Sequence, residues 1–252
     1  VGAAGMATLG DELRAELPGA LAKALGVRSL ALAADAVTAY AGALGQRPGA
    51  VVAGGTGLIA LGTDLTGWRR ADGWGHLLGD CGSGAWIGRS GLEAALRAYD
   101  GRRGGSPVLL ACAEERFGPA AGLAGALYPR TDRPAVLASF APEVARCAAD
   151  GDPVAEGILC RAAVHAAEAA SAVCPTATAC EVALTGGLFK LGDALLVPLR
   201  AALAEQLPQA RLASAAGDPL SGAVALASAL ATGTLCLPAD PRLLYVTDQL
   251  TT

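Results

Sequence analysis

The chain has 252 residues, of which 53% are apolar and only 4% aromatic, and its formal net charge is −4. That length allows one large core or two lobes, and the composition excludes a disordered chain while calling for close packing of Ala, Leu and Val. Dispersed arginines on an acidic chain leave no basic stripe for nucleic acid, and no apolar run approaches the ~18 residues of a membrane span, so neither is expected as a partner and a cytoplasmic location is expected.

In chain order, VGAAG at residues 1–5 reads as the end of a buried strand entering a glycine turn, so the chain is expected to begin within a domain. An amphipathic helix over residues 11–25, kinked at Pro18, precedes an apolar strand over 29–35 that ends on Asp35. A helix, AVTAYAGALG, then leads to a strand and glycine turn over 49–57, with LIALGTDL as its hairpin partner. Alternation of strand and helix predicts an α/β layer structure. Residues 82–173 are helical in pattern, broken near Gly104, Pro119, Pro134 and Pro153, and end in a long helix over 153–172. A second strand-turn-helix unit spans 181–195, a short strand 211–214 and a helix 219–230, before a Pro-rich tail expected to be loosely held. The seven cysteines (Cys81, Cys112, Cys147, Cys160, Cys174, Cys180 and Cys236) occur singly at irregular spacing and are expected to be reduced thiols.

Four segments carry chemistry. AGGTG over 53–57 is either an ordinary tight hairpin or a phosphate cradle made of backbone N–H groups, with Thr56 adding a hydroxyl. TGG over 185–187 is either a strand-to-helix turn or a bare surface for a flat base or ribose. Two such glycine turns can clamp opposite ends of one nucleotide. DGWGHLLGDCGSGAWIGR over 72–89 holds six glycines, two tryptophans, His76 and Asp80. There Asp80 is either a helix cap or a carboxylate aimed at substrate hydroxyls, and His76 reads as a hydrogen-bonded structural histidine. Asp35, at the C-terminal end of a strand and the start of a helix, is either an N-cap or a general base.

These segments, in this order, resemble the BadF/BadG/BcrA/BcrD ATPase family and its N-acetylglucosamine kinase-like members. GWGHLLGDCGSGAWIGR is similar to the family's Gly-Trp-Gly-x-x-x-Gly-Asp-Glu-Gly-Ser signature, LAADAVTAY resembles its catalytic Asp-Ala strand end, AGGTG its second phosphate loop and LTGGLF its adenosine motif. The resemblance implies an α/β, actin-like ATPase (ribonuclease H-like) fold with two lobes. Residues 1–48 would be the remainder of an incomplete N-terminal lobe carrying the catalytic Asp, 49–218 a C-terminal lobe with a helical insertion, and 219–252 a helix and tail returning to the N-terminal lobe.

It further implies an ATP-dependent carbohydrate kinase acting on the 6-hydroxyl of an amino sugar, with Mg2+ bridging the phosphates and no metal ligand assigned to the protein. Asp35 would be the base. Gly57, Trp74, Asp80 and Gly84 would contact the sugar, while Gly55, Thr56, Gly57, Gly186 and Gly187 would hold ATP. A homodimer is also implied. The chain departs from the pattern in three places. The family's opening Asp-Gly-Gly-Gly-Thr hairpin is absent, so these 252 residues alone are expected to be a poor catalyst. Cys81 stands where Glu is usual, and Leu58 and Ile59 follow the glycine turn where polar residues are found in animal-type kinases. The sugar is left open among glucosamine, N-acetylglucosamine, N-acetylmuramic acid and another hexose. Two alternatives are a non-catalytic sugar sensor and a dehydratase-activating ATPase with an iron-sulfur cluster, for which Cys81 is the candidate ligand.

Overall fold

The computed structural model of the chain describes residues 1–6, 10–175 and 180–248. Strand β1 (Gly2–Ala3) lies parallel to β2 (Ser29–Ala34), with helix α1 (Asp11–Leu25) between them in sequence. β2 runs directly into α2 (Asp35–Leu44). A meander of β3 (Gly49–Gly54), β4 (Leu58–Thr63) and β5 (Trp68–Asp72) follows. Six helices come next: α3 (Gly84–Tyr99), α4 (Pro107–Phe117), α5 (Leu123–Leu127), α6 (Arg133–Ala138), α7 (Ala141–Ala149) and α8 (Pro153–Val173). The chain finishes with β6 (Glu181–Thr185), α9 (Asp193–Gln206), β7 (Arg211–Ala213), α10 (Pro219–Ala231) and β8 (Leu244–Asp248). This is an α/β architecture with a helical insertion between β5 and β6.

The strands form two sheets, β1-β2-β8 and β5-β4-β3-β6-β7. In the larger sheet β3 and β6 are parallel, with Val52 opposite Leu184, so the glycine turns that follow them emerge side by side at one end. Its central strands read as unbroken apolar runs because both faces are covered. Ala50, Val52, Ala60 and Val182 face the core of the helical insertion, whereas Val51, Leu61 and Ala183 face the core built around α2. Helix α2 packs against β2 on one side and β3, β4 and β6 on the other. A helix wedged between two sheets must be apolar all round, and residues 36–44 are all buried.

Helix α10 crosses α2 at bare backbone. A Cβ on Gly222 would lie 1.9 Å from the Thr38 carbonyl oxygen, and one on Gly42 would lie 2.1 Å from that of Asp218. Any side chain at either position pushes the helices apart, so the crossing holds the start of α2, and with it Asp35, in place.

Two expectations need correction, and one strand had no counterpart in the sequence reading. Strand β5 was not foreseen, because two adjacent arginines in WRRAD obscure its period of two. The tail is not loose. β8 pairs antiparallel with β2 from Leu244 opposite Ala33 to Asp248 opposite Ser29, and the Trp68 indole N–H donates to Pro238 O at 2.7 Å. Residues 249–252 of that tail lie outside the described residues. Finally, Cys174 at the end of α8 and Cys180 before β6 form a disulfide, so the expectation of seven reduced thiols fails for that pair. Their separation of six residues matches no metal or redox pattern that would have flagged them.

Candidate active site

Between the two sheets opens a cavity of about 380 Å³, within the range of small-molecule sites. The α2 side of its wall includes Ala34, Asp35, Ala36 and Pro219. The opposite side includes Gly54, Gly55, Gly57, Ile59, Arg70, Asp80, Thr185 and Gly186.

Asp35 is the one exposed residue in the otherwise buried run from Leu30 to Leu44. β2 ends at Ala34 and the helix begins at Asp35, so its carboxylate stands at a helix N-terminus, beside the free N–H groups of the first turn. One oxygen, Oδ1, accepts from the Ala36 N–H at 2.8 Å, leaving Oδ2 to the cavity. The Thr38 hydroxyl donates to the Asp35 carbonyl and tightens this first turn.

Asp80 reaches the same cavity from the loop between β5 and α3. That loop is organised by Asp72, whose Oδ1 accepts from the Asp80 N–H and whose Oδ2 accepts from the Cys81 N–H at 2.8 Å. Both Asp72 (φ 61°) and Asp80 (φ 52°) sit in the left-handed region, at a cost of about 1 kcal/mol or more each that these charge-assisted bonds offset. Asp80 Oδ1 accepts from the Gly75 N–H at 3.2 Å. A Cβ on Gly57 would fall 2.7 Å from Oδ2, so only glycine lets the β3–β4 turn lie against this carboxylate. Burial raises the Asp80 carboxyl above its ordinary range, with Asp72 adding to the rise and the Gly75 amide opposing it. The helix cap here is Ser83, whose Oγ accepts from the Trp86 N–H, and not Asp80.

The glycine turn is more self-contained than a phosphate cradle built from every amide. Gly55 donates its N–H to Gly57 O at 2.8 Å, while Gly84 and Ala85 at the start of α3 donate to the carbonyls of Gly55 and Thr56. At the neighbouring turn Gly186 has φ 102° and ψ 172°, a conformation open essentially to glycine alone. A Cβ there would lie 2.1 Å from Gly54 O. The seam between the two turns is therefore bare backbone.

Of the residues singled out from the sequence, the structure brings Asp35, Gly55, Gly57, Asp80 and Gly186 onto one cavity wall. Thr56, Trp74, Gly84 and Gly187 lie off it. Thr56 and Gly187 are exposed, Gly84 is buried with its amide committed to Gly55, and the Trp74 ring stacks on the Arg70 guanidinium at 4.5 Å. Sequence reasoning missed Arg70, on the wall itself, and Asp72, which shapes the loop. A pair of arginines and an aspartate inside one short strand was the available signal. His76 also departs from expectation, since its Nε2 is buried without a hydrogen-bond partner among the described residues.

Burial, followed by the Asp72 carboxylate, pushes the Cys81 thiol up. It stays protonated at neutral pH. No group of three or more His, Cys, Asp or Glu side chains among the described residues could hold a metal ion. No helix among them is long and apolar enough to cross a membrane.

A sequence model described as the BadF/BadG/BcrA/BcrD ATPase family matches residues 2–227. The chain belongs to the BadF/BadG/BcrA/BcrD ATPase family. Within this ATPase family it is 43% identical over 76 residues to an N-acetylmuramic acid/N-acetylglucosamine kinase of Clostridium acetobutylicum, a segment covering 30% of this chain and 24% of that protein. A solved structure from Chromobacterium violaceum, described as a candidate N-acetylglucosamine kinase, superimposes with a TM-score of 0.65 at 35% identity. That match covers 77% of this chain, which spans 64% of that relative. A ROK family glucokinase from Streptomyces griseus, solved with glucose and AMPPNP, shares the fold at a TM-score of 0.53 and 20% identity, over 86% of this chain and 72% of that one. These likenesses give the family member its fold, that of the actin-like ATPases.

Proposed function

We propose that this chain carries the acceptor and nucleotide surfaces of an ATP-dependent kinase that phosphorylates the 6-hydroxyl of an amino sugar, N-acetylglucosamine, glucosamine or a related hexose. One observation carries the reading. In a member of this ATPase family, a single exposed carboxylate, Asp35, projects from a buried helix into a cavity shared with Asp80 and with the bare Gly54–Gly186 seam. The relatives named as sugar kinases support the choice of acceptor.

In this reading Asp80 accepts hydrogen bonds from sugar hydroxyls, and Gly57 keeps the backbone close behind it. Asp35 orients the 6-hydroxyl and takes its proton as the oxygen bonds to phosphorus. The bond between that phosphorus and the bridging oxygen breaks, ADP leaves with the electron pair, and Asp35 returns the proton to water. Gly55 and Gly57 line the phosphate end, with the exposed Thr56 between them, and Gly186 with Gly187 leaves a flat surface for adenosine. Trp74 and Gly84 act indirectly, the ring by holding Arg70 and the amide by pinning Gly55. The cavity and the side-chain-free seam fit a nucleotide, whose phosphate oxygens would hold a Mg2+ ion. ATP supplies the phosphoryl group, and the metal offsets its charge.

Because the chain spans only part of its relatives, the test uses the full-length protein in a coupled ADP-release assay against a panel of amino sugars and plain hexoses. Sugar-dependent ADP release, highest for an amino sugar, is expected. Absence of release with every hexose, from a protein that melts cooperatively, overturns the reading.

A further inference from the structure

Arg70 touches no reacting atom in the reading above, yet among the described residues it is the one Lys or Arg on the cavity wall. Its head is held firmly. Nε donates to Asp72 O at 3.1 Å, Nη2 donates to Gly73 O at 2.6 Å, and the Trp74 ring lies across its face. All three partners are neutral. Among the described residues it forms no ion pair, and Nη1 donates to no protein acceptor. A pre-positioned planar guanidinium that forms no ion pair among the described residues is suited to a carboxylate.

Sheet order decides which end of the cavity it serves. With strands about 4.8 Å apart, β5 lies about 10 Å from β3 and about 14 Å from β6 in the order β5-β4-β3-β6. Its bonds to the carbonyls of Asp72, the last residue of β5, and of Gly73 turn the guanidinium toward the loop that carries Asp80. Arg70 therefore serves the acceptor end. The wall there also carries Asp35 and Asp80, so one cation facing two carboxylates favours a monoanion over a phosphate dianion.

Resting on the kinase reading, we propose that Arg70 is a specificity-determining residue for an amino sugar bearing a carboxylate substituent, which it binds through its guanidinium. The loop holds Arg70 in its binding orientation before the ligand arrives, so little side-chain entropy is lost on pairing. Raised salt weakens the preference, because the site is open to solvent.

The test is calorimetric titration of the full-length protein, without nucleotide, with N-acetylglucosamine, N-acetylmuramic acid and the methyl ester of the latter, which keeps the bulk and removes the charge. Wild type is expected to bind the acid at least about tenfold more tightly than the ester, the scale of a hydrogen bond to a charged group. Arg70→Gln brings the two to parity, Arg70→Lys keeps part of the preference through its charge, and affinity for N-acetylglucosamine changes by less than about threefold. Equal binding of acid and ester by wild type overturns the inference. So does a uniform loss across all three ligands in Arg70→Gln, which would make the arginine only a latch for the loop. If wild type binds none of the three sugars, the kinase reading itself falls and the inference with it.

Discussion

Gly186→Ala and Gly187→Ala change adjacent residues by the same methyl group, and the structure predicts different outcomes. At Gly186 the backbone (φ 102°, ψ 172°) lies where an L-residue costs about 1–3 kcal/mol. The new Cβ would also sit 2.1 Å from Gly54 O and 3.0 Å from its carbonyl carbon. Both are backbone atoms that no rotamer change relieves, so β3 and β6 must part at about another 1–3 kcal/mol. The sum, about 2–6 kcal/mol, is a large share of a typical 5–15 kcal/mol of stability. At about 2–4 °C per kcal/mol it lowers Tm by about 4–24 °C. At Gly187 a Cβ meets nothing within 4 Å, and Tm should stay within about 1 °C. Thermal unfolding followed by circular dichroism reads both. ATP affinity is expected to fall in each variant, in Gly187→Ala without any stability cost. A Gly186→Ala protein melting within about 2 °C of wild type would refute the seam as described.

Two further perturbations have signs that follow from the structure. The Asp80 carboxyl is raised by burial, so the folded state favours its protonated form. Its contribution to stability is full below the ordinary carboxylate value of about 4 and is lost as pH rises through the raised one. Asp80→Asn should therefore melt no lower than wild type at neutral pH, with the difference closing below about pH 4, while losing most of its sugar affinity. A lower Tm at pH 7 contradicts this. Reducing the Cys174–Cys180 bridge, which closes a loop of sequence separation 6, should cost about 2 kcal/mol on loop entropy. It is measured as the shift in Tm with and without reductant, and replacing both cysteines by alanine should abolish that shift.

The features legible in sequence were those set by local backbone demands. A strand ending on a carboxylate at a helix start (Asp35) and glycines forced by close approach (Gly57, Gly186) announce themselves in a few residues, and all three line the cavity. What stayed hidden depends on partners distant in sequence. β8 is a strand because β2, more than two hundred residues earlier, offers it an edge. β5 carries Arg69 and Arg70 because one of them turns to the cavity. The amides of Gly55 and Gly84 look available in the linear motif, yet each is committed to another turn residue. The Asp72 carboxylate acts eight and nine residues ahead, on Asp80 and Cys81, beyond the reach of any turn pattern. Helix α2 shows the complementary case, since its all-apolar sequence predicts burial on every side without saying against what.

The most direct test of the kinase reading is the turnover of Asp35→Asn in the full-length protein, set beside its sugar affinity. The carboxamide keeps an oxygen for the Ala36 N–H but cannot take a proton at neutral pH. The structure predicts a kcat lowered by about 10²- to 10⁴-fold, with sugar affinity and Tm close to wild type. Sugar-dependent ADP release within about tenfold of wild type would contradict the assignment of Asp35 as the base and, with it, the central role given to this one exposed carboxylate.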